Sequence, residues 1–122
     1  SFPTRRSSDL QVWQLTTMRG RRVDALIVLS FNPEAATLSG HATCNTYGAD
    51  CRISLPAASP QGYRYTLAIA NLKSGNTQCP EADMNAEARY LALLQKADAL
   101  LLTPYNITLF QHDKEILHFE LQ

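Results

Sequence analysis

The chain has 122 residues, enough for one hydrophobic core and too few for two ordinary ones. Its 45% hydrophobic and 18% charged content is that of a globular chain, and the longest apolar run, 25–29, falls far short of the roughly 20 residues a spanning helix needs. Eleven basic residues balance eleven acidic ones and are scattered apart from Arg19, Arg21 and Arg22, which beside Gly20 read as a solvated turn; the basic stripe of a nucleic-acid binder is missing, and the balance points to a neutral ligand or a protein partner.

The first ten residues, Ser-Phe-Pro-Thr-Arg-Arg-Ser-Ser-Asp-Leu, are what translating TCT TTC CCT ACA CGA CGC TCT TCC GAT CTN gives, a string similar to a common short-read sequencing adapter. We read 1–10 as an assembly scar and 11–122 as a single domain. Without Arg5, Arg6 and Asp9, nine basic residues face ten acidic ones. A natural N-terminus, with any signal peptide or lipid-attachment cysteine, is then expected to be missing, so the lack of a targeting signal says nothing about location.

Residues 12–15, Val-Trp-Gln-Leu, alternate and read as a first strand closed by the turn at Gly20. The run 25–31 is β-branched and apolar, which suits a buried strand ended by Asn32, Pro33 and Glu34. Residues 37–40 and 52–55 flank a polar segment with Asn45 and Gly48, which predicts a strand pair around a long turn. Loop chemistry fills 56–62, and 63–70 then alternates with Tyr63, Tyr65, Leu67 and Ile69 on one face. One helix is predicted from about Pro80, whose fixed φ suits a first turn, to about Lys96, with Glu81 and Asp83 at the positive end of its dipole. Met84, Ala88 and Leu91, with Tyr90 and Leu94 one position over, make its apolar stripe.

Residues 100–102, 107–109 and 117–121 read as three successive antiparallel strands, split by turns at 104–106 and 112–114. The expected fold is α+β, about eight strands in an antiparallel sheet curled into a partial, cracked β-barrel with one main helix packed against it.

Several short pieces recur here in a fixed order: Trp13-Gln-Leu, Leu38-Ser-Gly40, Thr43-Cys44-Asn45-Thr-Tyr-Gly48, Asn76-Thr77-Gln-Cys79-Pro, Glu87 within the helix, and Ile107-Thr-Leu109. The set resembles the META domain family, which includes HslJ-like heat-inducible bacterial proteins, over roughly residues 12–121. Two positions depart from the family pattern: Thr43 stands where a glycine precedes the cysteine, and Thr77 lies two residues before Cys79 rather than further away. The resemblance implies structural roles for Trp13, Gly40, Asn45 and Glu87. It also implies a periplasmic or outer-membrane lipoprotein, a stress-protective role, no established enzymatic activity, and a barrel similar to that of secretin pilot proteins.

In an oxidising envelope two of the three cysteines would pair, and the family positions point to Cys44 with Cys79. Closing that loop of about 35 residues would stabilise by about 4 kcal/mol in the chain-entropy model. Cys44 with Cys51, or three free buried thiols, remain alternatives. A zinc site of His41, Cys44, Cys51 and Cys79 has poor spacing and no Cys-x-x-Cys pair, so no metal or cofactor is expected.

A nucleophile at Cys44 or Cys79 would need His41, His112 or His118 as base, and no orienting third residue is identifiable; exposed histidines are expected, and no enzyme. Glu81, Asp83 and Glu87 read as helix-start charges, with structural support the role preferred for Glu87. Trp13, Tyr63, Tyr65, Tyr90 and Phe110 could line an apolar cavity, though a barrel this small is usually filled by its own side chains. The function expected is a monomeric, non-enzymatic envelope module with a protein or lipid partner; the alternative is a carrier sheltering an acyl chain or a partner's tail.

Overall fold

A computed structural model describes residues 11–32, 34–54 and 56–122. The segment 1–10, read as a scar, lies outside the described residues. In chain order the elements are β1 (Trp13–Met18), β2 (Arg21–Arg22), β3 (Ile27–Asn32), β4 (Thr37–Ala42), β5 (Asn45–Ile53), β6 (Ala57–Ser59), β7 (Gly62–Ser74), α1 (Glu81–Lys96), β8 (Ala99–Leu102), β9 (Asn106–Gln111) and β10 (Lys114–Leu121).

All ten strands belong to one antiparallel sheet, which runs β10-β9-β8-β7-β5-β4-β3-β1, with β2 appended to β1 and β6 to β7. β1 also pairs with β10, from Trp13 opposite Leu121 to Met18 opposite Leu117. The eight main strands therefore form a closed barrel, and the expectation of a cracked one is corrected. The fold is mostly β, with a single helix among the described residues. Closure satisfies backbone groups that an open first and last strand would present to solvent.

Alternation in the sequence fills the barrel. Ile27, Leu29 and Phe31 of β3 point inward with Trp13 and Leu15 of β1, and meet Tyr65 and Leu67 of β7 and Leu117 and Phe119 of β10 in one core. Near its N-terminal end β10 breaks the period at an irregularity between Glu115 and Leu117, so that Ile116 and Leu117 are both buried. Tyr63, predicted to share the inward face of β7, is exposed at the strand's beginning.

Two expectations need correction. The segment around Asn45 and Gly48 is not a long turn: β4 and β5 join through Thr43 and Cys44 alone, and β5 alternates strictly, with Asn45, Tyr47, Ala49 and Cys51 inward. The helix spans the predicted residues but is rotated. Its buried side is Glu87, Tyr90, Leu93 and Leu94, whereas Ala88 is exposed and Met84 and Leu91 are half-buried.

α1 lies across one mouth of the barrel, packed on β7 and β10. Its start is tied to the β4–β5 turn through Cys79. Just past its end, the Asp98 N–H donates to the Phe110 carbonyl and the Asp98 carbonyl accepts from the Leu67 N–H.

Candidate functional site

Four of the residues singled out by sequence, Cys44, Cys79, Asn45 and Glu87, converge where the helix begins. Cys44 in the β4–β5 turn and Cys79 just before α1 form a disulfide, with Cα atoms 6.7 Å apart and a sequence separation of 35. That separation lies within the range a disulfide spans. The alternative with Cys51 is excluded, because Cys51 is a free thiol buried in the barrel, where burial pushes its pKa up to about 12.

Asn45, next in sequence to Cys44, points inward and joins three segments. Its Nδ2 donates to the Thr77 carbonyl (3.3 Å) and to Glu87 Oε2 (3.1 Å), while its Oδ1 accepts from the Thr77 N–H (2.8 Å). One buried amide thus fixes the β5 start, the segment before the helix and the helix's second turn. Gly75 has to be small here, since a Cβ would come within 2.8 Å of Asn45 Oδ1. Glu87 is buried, and its second oxygen has no hydrogen-bond partner among the described residues. The helix-start pair of Asp83 and Glu87 does not form a paired-carboxylate site: Glu87 turns into the fold toward Asn45, and Asp83 is only partly buried.

The turn also accounts for the family's glycine. Thr43 has φ of 58°, a left-handed conformation that costs a β-branched residue free energy and a glycine almost none. Local bonds hold it: its N–H donates to the Leu26 carbonyl (2.8 Å), its hydroxyl to the Ala42 carbonyl (2.7 Å), and its own carbonyl accepts from His41 Nε2 (2.7 Å).

Gly40 serves a second polar relay. The Tyr47 hydroxyl passes over it to donate to the Val28 carbonyl (2.7 Å), and a Cβ at residue 40 would stand 2.0 Å from that carbonyl oxygen. With its proton committed to Val28, Tyr47 accepts from the Tyr90 hydroxyl, whose ring meets Tyr47 and Phe119 edge to face. Burial, above all, raises the pKa of both phenols, and both stay protonated. Trp13 sits in the core at the β1–β10 seam, opposite Leu121.

The four residues weighed as a zinc set and set aside on spacing are engaged otherwise: Cys44 and Cys79 are bonded to each other, Cys51 lies inside the barrel, and His41 is bound to the Thr43 carbonyl. Neither Cys44 nor Cys79 is a free thiol. His112 is exposed as expected.

His118 is not exposed: it is held between Thr108 Oγ1 on Nδ1 (2.8 Å) and Glu120 Oε2 on Nε2. Sequence reasoning missed this hydroxyl, imidazole and carboxylate row. The spacing of His118 and Glu120 on one strand face was visible, but the partner on β9 was not. Thr108 is buried in mid-strand, pairing across to His118 and Leu101, so the row bolts strands together and presents no accessible nucleophile.

These features define a class: a small closed antiparallel barrel, capped by one helix that a disulfide and a buried amide anchor. A META domain family model matches residues 8–122, and the chain belongs to that family. No match is found among curated proteins. Among solved structures, the fold is similar to an NMR structure of a protein from Burkholderia xenovorans, with a TM-score of 0.64 and 19% identity over 92% of this chain and 81% of that one. A second NMR structure aligns with a TM-score of 0.58 and 20% identity, covering 90% of this chain and 87% of the other. At these identities the likeness concerns the fold.

Proposed function

We propose that this chain is a non-enzymatic, stress-protective module of the cell envelope, held at the outer membrane or in the periplasm, which binds a protein or lipid partner with its outer surface. The observation that carries the reading is the filled barrel. Leu100, Ile107, Leu109, Leu117, Phe119 and Tyr90 are each 0% exposed. A void wide enough for an acyl chain would leave accessible surface on the side chains that line it, so the interior favours an interaction module over a carrier.

The compartment rests on the Cys44–Cys79 disulfide, a bond that persists in oxidising surroundings and is rare in a reducing cytosol. The absence of catalysis rests on the cysteines: two are bonded to each other, and the third is a buried thiol far from the range of an activated nucleophile. No helix of the described residues is long and apolar enough to cross a membrane.

Native mass spectrometry of the protein extracted from the envelope is the test. A mass corresponding to the chain with a bound protein or lipid is expected, and Cys51 should be the one thiol alkylated once the chain is unfolded without reductant. A bare chain with three alkylated thiols would overturn both compartment and role.

A further inference from the structure

The arginine turn takes no part in the disulfide corner. After β1 ends at Met18, Arg19 (φ 50°) and Gly20 (φ 79°) make the turn, and Arg21 and Arg22 pair back onto Met18 and Thr17. The Arg19 N–H donates to the Ile116 carbonyl, which fixes the turn against β10. This places three arginines beside the second half of α1, where Arg89, Ala92, Leu93 and Lys96 share one face at helical spacing.

Hairpin and helix together line a pocket of about 490 Å³, with Met18, Val23, Ala92 and Leu93 between the cations. Five cations meet there, and none of their side chains makes an ion pair or hydrogen bond among the described residues. None of the acidic residues among the described ones lines this pocket. Like charges gathered without counter-charges repel one another, so the arrangement is complementary to an anion.

We propose that this pocket docks the phosphate-bearing head group of an anionic lipid at a membrane surface. The cations hold the phosphate, and Val23 and Ala92, over the buried Met18 and Leu93, take the first methylenes below it. A soluble phosphate would leave that apolar surface unused. A nucleic acid would call for a row of cations tracking successive phosphates rather than two elements closing on one pocket. The inference rests on the binding-module reading and narrows its partner to a lipid.

The test uses the whole chain and vesicles of phosphatidylglycerol mixed with phosphatidylcholine, against phosphatidylcholine alone. The triple variant Arg21→Gln, Arg22→Gln, Arg89→Gln changes exposed side chains and should melt as the parent does. It should lose about fivefold in vesicle partitioning for each cation removed. The control Arg52→Gln, Lys73→Gln, Lys114→Gln makes the same change in net charge elsewhere and should stay within about twofold of the parent, because surface potential acts locally.

Several results would overturn the site: no preference for anionic vesicles, equal losses in both triples, full competition by glycerol phosphate at matched ionic strength, or equal, variant-sensitive binding of a DNA duplex. Native mass spectrometry showing a protein partner and no lipid, together with failed vesicle binding, would remove this site and leave the module reading standing.

Discussion

The two halves of α1 are held by different means. The first is pinned by a covalent bond at Cys79, by the Asn45–Thr77 bonds and by Asn45 on Glu87. The second has no covalent tie and is held by Leu93 and Leu94 in the core and by the Tyr90 hydroxyl on Tyr47, while its outer face carries Arg89 and Lys96. The disulfide and the amide therefore fix where the helix begins, and apolar burial with one hydroxyl bond fixes which way it faces. The cations occupy the half whose surface is free of architectural bonds.

The contrast can be broken at its centre first. Tyr90→Ala should cost about 5 kcal/mol, since it empties a fully buried aromatic site and removes the donor to Tyr47; a loss below about 2 kcal/mol in urea titration would show the helix is not a lid on the core.

Next, replacing Cys44 and Cys79 by serine should cost about 4 kcal/mol. Hydrogen exchange should then quicken at 81–86 and not at 93–96, and uniform quickening would erase the distinction between the halves. Asn45→Ala should cost about 3 kcal/mol by leaving the Glu87 carboxyl buried without its donor. Adding Glu87→Leu to it should recover part of that loss, and a fully additive double variant would mean the amide and the carboxyl act separately.

Smaller effects sharpen the picture. Leu91→Ala should cost about 1.5 kcal/mol, less than a core leucine because it is half-buried, and Lys96→Ala less than about 0.5. Thr43→Gly should raise stability by about 1 kcal/mol by relieving the left-handed strain, read as a higher melting temperature. A fall would mean that the threonine's own hydrogen bonds outweigh that strain.

The sequence was legible where hydrophobic period and geometry agree. β1, β3 and β7 to β10 stood at or near their predicted places because their inward residues are apolar. β5 was read as a turn because Asn45, a polar inward residue, hides the alternation that Tyr47, Ala49 and Cys51 continue. The helix face was misread for the same reason, since a buried Glu87 sits in the middle of the true stripe and hydropathy assigns it to solvent. Both errors fall on one hydrogen-bonded pair, visible only when Asn45 and Glu87, 42 positions apart, are seen together.

Barrel closure depends on the register between the first and last strands, which no local pattern carries. The disulfide corner was named from the resemblance, whereas the cationic pocket was seen only as a turn, because Arg89 and Lys96 join it from another element.

The seam between β1 and β10 also bears on how the chain is made. Trp13 lies opposite Leu121, so the barrel cannot close until Leu121 has left the ribosome. Until then β1 waits with an unpaired side, and contacts of such long sequence separation form slowly. The Cys44–Cys79 loop, by contrast, is complete before β8, β9 and β10 are synthesised, so an oxidised hairpin-and-helix corner can precede the closed barrel. Removing the β9–β10 hairpin would convert the closed sheet into one with two open edges, a form prone to self-association.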